Sequence, residues 1–240
     1  MRTQRGMALL LVLWAQALLT VLLGALVVDV RQQMRLAGWQ RDQIKATLAA
    51  EAGLNLAVQA LSDPVMKRRW LADGRAQTLS FDGARLEIQV RSERGKLDLN
   101  TAPAKDFARL LSALGASAGQ AQTFAKALDQ RRSEDQMPLR VLEELRDLPA
   151  MDAPLYHAAL AELTVWSGME TPDPAFATPA IQRALRLPHI RPEGADPGQA
   201  LTVHVRVRLN NGFSTELDST VVLTSATRGV RPFRVVRYTP

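Results

Sequence analysis

The sequence predicts an α+β protein: a long N-terminal helix and an antiparallel sheet, with an all-α, helix-hairpin-helix-like block inserted between the strands. Three observations lead there. An uncharged apolar run, residues 7–28, passes without proline into a helix-period pattern that stops at Ser62-Asp63-Pro64. Strand-like alternation occurs twice, in residues 79–90 and 203–209. Between the two lies an alanine- and leucine-rich stretch, residues 96–168, with helical spacing.

The apolar run has Gln16 and Thr20 as its polar side chains, beside Trp14. At a rise of about 1.5 Å per residue it would extend roughly 33 Å, enough for a hydrocarbon core of about 30 Å. The apolar region of an export signal is shorter, about 7–15 residues, so length favours a membrane anchor. Gln16 is either a helix-contact residue within a packed bundle or a tolerated polar side chain. Beyond the run, Val30, Met34, Ala37, Ile44, Leu48, Ala52, Leu56 and Leu61 recur mostly at threes and fours, which predicts one amphipathic face over 29–61. Residues 7–61 then form a rod of roughly 80 Å. Arg2 and Arg5 precede the span, whereas Arg31, Arg35, Arg41 and Lys45 follow it. Taken alone, the positive-inside rule slightly favours a cytoplasmic C-terminal side.

Downstream, Leu79 and Phe81 lead to a turn at Asp82-Gly83, after which Leu86, Ile88 and Val90 alternate with Glu87, Gln89 and Arg91. This predicts a hairpin with one buried face, in a segment 62–95 that ends where alternation stops at Arg94-Gly95. In the block 96–168, Asn100 and Thr101 are N-cap residue types and Pro103 suits a first helical turn. Helices are expected over 104–114, closing at Gly115, over 118–131 with Phe124, Ala127 and Leu128 buried, and over 139–148 and 154–163. The segment 169–240 opens with a proline-rich stretch, expected to wrap the surface around a short helix at 180–187. Val203, Val205, Val207 and Leu209 then alternate with His204, Arg206 and Arg208; Asn211-Gly212 is a hairpin turn, and 220–224 and 233–238 are further strands. Strands on both sides of the block imply one sheet completed by the C-terminal segment.

The residues give catalysis little support. With no cysteine, disulfides, thiolate catalysis and thiolate metal sites are excluded. His157, His189 and His204 are far apart, no HExxH, GxSxG or phosphate-loop pattern occurs, and Glu143 and Glu144 are adjacent, so on a helix they diverge by about 100°. Arg228, Arg231, Arg234 and Arg237 suit a strand edge that discourages unwanted pairing. The net charge of +6 is spread along the chain and by itself identifies no anionic partner.

The block resembles a pair of helix-hairpin-helix motifs, and the alternative reading is a membrane-anchored DNA receptor of that class. Such motifs bind phosphate through hairpin amides. Here the first hairpin, Leu114-Gly115-Ala116-Ser117, has one glycine, and the second, Leu148-Pro149-Ala150-Met151, has none. Residues 96–168 hold eight Lys or Arg against ten Asp or Glu, the wrong sign for a nucleic-acid footprint.

The arrangement as a whole resembles the type IV pilin-like proteins, and within them the K-type minor pseudopilins of type II secretion systems. Gly6 stands between a short basic tail and the apolar run. The resemblance implies a leader, residues 1–6, removed by a prepilin peptidase between Gly6 and Met7, with methylation of the new amine on Met7. Most members carry glutamate as the fifth mature residue; here that place is Leu11, a departure typical of the K type. The block's opening Leu97 to Asn100 (LDLN) and closing Leu163 to Ser167 (LTVWS) match that type's insert. The implied fold is a long helix with a pilin-like sheet and a helical insert. The implied role is non-enzymatic, at the pseudopilus tip with I-, J- and H-type minor pseudopilins, the major pseudopilin and the inner-membrane assembly platform. The molecule would be a single-pass inner-membrane protein with its folded part in the periplasm. The acidic loop that helps some members hold calcium is reduced to Ser133-Glu134-Asp135, so no metal site is carried over and no cofactor is expected.

Overall fold

The computed structural model describes residues 4–63, 65–66, 69–133, 137–224 and 232–239, with side chains from residue 12 onward. Helix α1 runs Gln4–Ser62, without a break at Gly24, Gly38 or Gly53. Asp63 ends it: its carboxylate accepts the amides of Val65 and Met66 and turns the chain. The hairpin follows as β1 (Asp73–Phe81) and β2 (Ala84–Ser92). Asp82 and Gly83 both have positive φ, 45° and 74°, the two-residue turn whose twist matches the strands it joins. β5 (Ala200–Arg208), β6 (Ser214–Leu223) and β7 (Phe233–Thr239) complete one antiparallel sheet in the order β1-β2-β5-β6-β7.

α1 packs on β6, β5 and β2. Its sheet-facing side is built from small residues: Ala46, Ala49, Ala50, Gly53, Ala57 and Ala60 are buried with Leu54, Val58 and Leu61. Against them lie Leu86, Ile88, Val90, Leu201, Val203, Val205 and Val207. The helix comes close enough that a Cβ on Gly53 would stand 2.8 Å from Val205 Cγ1.

The chain leaves the sheet through a 3₁₀ turn, Glu93–Gly95, and returns at β5. Between them are β3 (Leu97–Asp98), α2 (Ala104–Ala113), α3 (Ala118–Ser133), a 3₁₀ segment Leu142–Asp147, α4 (Ala153–Ala159), β4 (Leu163–Thr164) and α5 (Pro179–Leu185). β3 and β4 pair in parallel and bring the LDLN and LTVWS segments side by side. Phe107, Leu110, Leu111, Phe124, Leu128, Leu142, Leu145 and Ile181 form a second core, separate from that under α1.

Several expectations are corrected. Of the apolar face predicted over 29–61, Val30, Met34, Ile44 and Leu48 are exposed, because the side that the sheet covers is the alanine-rich one roughly opposite. Asn100 and Thr101 do not cap α2, whose N-cap is Pro103 itself; Asn100 instead bonds Leu139, and Thr101 Oγ1 donates to the carbonyl of Met169. Ala125, not Ala127, is buried on α3. The helix expected at 139–148 is a 3₁₀ segment, held by a Glu144 carboxylate that accepts the amides of Arg140 and Val141. The one expected at 154–163 ends at Ala159, because Leu163 and Thr164 are drawn into pairing with β3. Residues 220–224 do not form a separate strand: β6 is already continuous from Ser214 to Leu223. The proline-rich stretch does not merely wrap the surface, since Ala175, Phe176, Ala177 and Ile181 are buried and α5 packs on α2.

Candidate assembly surface

Among the described residues, α1 is the one helix long and apolar enough to cross a membrane. The side chains described on its apolar half lie open: Trp14 is 68% exposed, and Leu18, Val21, Leu22 and Leu26 are likewise exposed. Gln16 is exposed on this span and its carbonyl accepts the Thr20 hydroxyl at 2.8 Å. The backbone of Gly6, Met7 and Leu11 is helical, but their side chains lie outside the described residues. Past the span the helix carries two apolar sides. One is covered by the sheet, and Trp39 extends it by meeting Phe213 edge-on. On the other, Met34 is 69% and Leu48 58% exposed, with Val30 and Ile44 in line between basic and polar neighbours. A stripe of this kind on a rigid rod suits the flank of a second helix.

The hairpins of the insert are closed in on themselves. In the first, the Gly115 amide donates to Ser112, that of Ala116 to Leu111, and that of Ser117 to the Gln120 side chain. Asp152 stands beside this hairpin, accepting from Gln120 Nε2 at 3.3 Å. In the second, Leu148 and Met151 donate to Leu145 and Leu148. Amides so engaged offer nothing to a phosphate, and Asp152 places a negative charge where one would sit.

The sheet face turned away from α1 is polar. Facing pairs Thr202 and Thr220, His204 and Asp218, and Arg206 and Glu216 form rungs across β5 and β6. The insert roofs part of this face over a cavity of about 660 Å³, lined among others by Lys96, His157, Glu162, Thr202, His204 and Asp218. Glu93, fully buried, accepts from Lys96 Nζ and the Thr202 hydroxyl, each at 2.6 Å. The hydroxyl of Thr178 donates to Glu162. Arg237 Nε donates to Glu143 at 3.2 Å and joins β7 to the insert; of the other arginines read as an edge guard, Arg234 is exposed on β7, and Arg228 and Arg231 lie outside the described residues.

His204 is 2.9 Å from Asp218 through Nδ1 and 3.9 Å from Glu216 through Nε2. The hydrogen bond to Asp218 raises the imidazole pKa above its usual value, against partial burial and the nearby Arg206. Because the folded pKa exceeds the unfolded one, the stabilisation is fully present below about pH 6.5 and is lost as pH rises through the folded value. The denaturation midpoint of the full chain in detergent should fall between about pH 6 and pH 8.5, and His204→Gln should flatten that fall.

Sequence reasoning missed the residues that hold the insert's two ends together. Asp98, buried between them, accepts the Asn100 amide at 2.9 Å through Oδ1 and, through Oδ2, the Ser167 hydroxyl at 3.0 Å and the Gly168 amide at 2.8 Å. Arg132 donates to the carbonyls of Leu99 and Ala102 and lies over the Phe107 ring; burial lowers its pKa, opposed by Asp129 and Asp98. Asn100 spans to the backbone of Leu139 through both amide atoms. A buried-type aspartate between two leucines was the available signal for Asp98; nothing local marked Arg132. Among the described residues no group of three or more His, Asp or Glu side chains could hold a metal ion, and Glu134 and Asp135 lie outside those residues.

No family model matches the chain, and no curated protein matches it by sequence. Solved structures do. One chain of the crystal structure of the GspK-GspI-GspJ complex from the enterotoxigenic Escherichia coli type 2 secretion system is similar over 83% of this chain and 97% of its own length, with a TM-score of 0.56 and 14% identity. The pilin-like α+β fold read from the sequence is thus shared with a component of a secretion assembly.

Proposed function

We propose that the chain is a minor pseudopilin of the K type, placed at the tip of a type II secretion pseudopilus, where it nucleates and caps assembly with I- and J-type partners. The observation that carries this reading is a single chain holding a long apolar-tipped helix, a five-stranded antiparallel sheet and an insert between the second and third strands of that sheet, beside a fold likeness over 83% of its length to one chain of the GspK-GspI-GspJ complex. The action is packing geometry rather than catalysis. Val30, Met34, Ile44 and Leu48 offer the stripe that a parallel helix of a neighbouring subunit covers, and the insert obstructs a further subunit from stacking above. Leu11 fits a leading position, since an unpaired carboxylate in hydrocarbon costs about 2.5–3.5 kcal/mol or more. The self-satisfied hairpins and Asp152 favour this reading over a nucleic-acid receptor. The H-type and major pseudopilins, the prepilin peptidase and the inner-membrane assembly platform complete the partner set, with the folded part in the periplasm.

The test is co-purification of the full chain with I- and J-type subunits from detergent-solubilised membranes. Met34→Glu combined with Leu48→Glu should reduce recovery of the partners by more than about tenfold while shifting the denaturation midpoint little, because both side chains are exposed. Unchanged recovery would count against the stripe as the contact. For the leader, Gly6→Leu should leave the first six residues attached in the mass spectrum of the mature product; normal trimming would refute the assigned bond.

A further inference from the structure

We infer that the free edge of β1, over Ala76 to Phe81, receives an edge strand from a different pilin-like subunit anchored in the same membrane, extending the sheet by backbone pairing. The inference rests on the assembly reading above and adds a second contact to it. The sheet ends in two edges, β1 and β7, and they are built differently. β7 is preceded by Pro232 and carries Arg234 and Arg237, features that discourage strand addition. Ala76 to Phe81 contains no charge, no proline and no glycine. An irregularity of register between Asp73 and Ala76 marks where the regular edge begins.

The register identifies the groups on offer. Phe81 faces Ala84 across a two-residue turn, so this pair exchanges both of its backbone hydrogen bonds, as do the alternate pairs Leu79 with Leu86 and Gln77 with Ile88. The amides and carbonyls of Ala76, Thr78 and Ser80 then point away from β2, and among the described residues no strand lies on that side. α1 packs chiefly on β6, β5 and β2 and leaves the inner side of β1 thinly covered: Phe81 is 42% exposed, while Leu79 still reaches the core. A partner strand here would satisfy three donors and three acceptors and would lay an apolar side chain against Phe81.

The occupant is not a second copy. Pairing two β1 edges antiparallel about a two-fold axis normal to the sheet would turn one α1 end for end, and two spans so opposed do not enter one bilayer in the same sense. Copies side by side in the same sense would bring β7 of one to β1 of the next, and there Arg234 and Arg237 stand on the approaching edge. A different subunit, anchored in parallel and lacking that guard, meets neither obstacle. Since β1 and β7 run in the same direction through three intervening antiparallel strands, such a neighbour presents its own last strand parallel to β1.

The test uses the full chain in its own membrane, with a photo-reactive benzoylphenylalanine at position 80 or, separately, at position 34 on the α1 stripe. The expected product at position 80 is an adduct whose cross-linked peptide maps to a strand of another protein that carries a long apolar N-terminal helix. Thr78→Pro removes one outward N–H without touching an inward pair, and Thr78→Lys adds a guard; each should lower that adduct about tenfold, the equivalent of one net hydrogen bond. Circular dichroism of both variants verifies folding, and the lysine variant stands if the proline one misfolds. Adducts at position 34 with none at position 80, adducts at position 80 only to a second copy, or adducts unaffected by Thr78→Lys would overturn the edge contact and leave the assembly reading standing. Silence at both positions would remove the two together.

Discussion

A single methyl group at position 95 is expected to destabilise the folded part by more than about 3 kcal/mol. An ideal Cβ on Gly95 would lie 2.2 Å from the carbonyl oxygen of Phe176, 2.4 Å from its carbon and 2.9 Å from the nitrogen of Ala177. All three are backbone atoms, so no side-chain rotation relieves the overlap. The crossing is itself fastened, because the Asp173 amide donates to the Arg94 carbonyl at 2.7 Å and Gly95 is buried. This is where the chain enters the insert and where the proline-rich return passes over it, so a separation here loosens both cores. Gly53→Ala is the matched control: its new methyl meets a Val205 side-chain methyl at 2.8 Å rather than backbone, and because that valine is buried and stiff a cost nearer about 2 kcal/mol follows. Gly115→Ala has open space but a φ of 105°, a conformational penalty of about 1 kcal/mol. Denaturation midpoints of the three variants in detergent should rank accordingly; a Gly95→Ala midpoint close to that of Gly115→Ala would mean the crossing yields more easily than its geometry indicates.

The same contrast explains what the sequence could disclose. The rod was legible because an uncharged run and a proline-free pattern need no tertiary context, and the hairpin turns were legible because Asp82, Gly83 and Gly212 take a positive φ that few other residues accept. The buried side of α1 was not legible. Periodicity gives weight to large apolar side chains, and those, Met34, Ile44 and Leu48, face outward, whereas the close approach of helix to sheet selects alanine and glycine. The stripe that the large side chains pick out is therefore the one the sheet leaves open. Inside the insert the local helical signal at residues 154–163 lost to a pairing between two-residue strands that no local pattern announces. Arg132, three hydrogen bonds deep into the carbonyls of Leu99 and Ala102, lies just past the helix expected over 118–131, where it reads as the start of an exposed loop; α3 instead continues through it to Ser133.

Asp98→Ala should cost about 3 kcal/mol, because it removes a buried carboxylate that accepts the half-buried Asn100 amide and Ser167 hydroxyl and the amide of exposed Gly168, each bond worth about 1 kcal/mol net. Asp98→Asn is the sharper experiment. It conserves shape and keeps an acceptor at Oδ1 for Asn100, but puts an amide NH₂ where Oδ2 receives the Gly168 N–H, so donor meets donor; about 2 kcal/mol is expected. Ser167→Ala, which removes one donor to Asp98 and a long acceptor contact to the Met169 amide at 3.3 Å, should cost about 1 kcal/mol. Hydrogen exchange locates the damage. The Leu97 and Leu99 amides, which donate to Glu162 and Thr164 across the parallel pair, should lose protection together, while Val203 and Val205 in the sheet keep theirs. Protection lost equally in both regions would instead mean that the insert and the sheet unfold as one unit. If the loss is local, the two ends of the insert are held by Asp98 and its donors, and the Arg237 bond to Glu143 is too exposed to hold the insert over the sheet alone. On the proposed capping role, the insert's position then depends on one buried carboxylate.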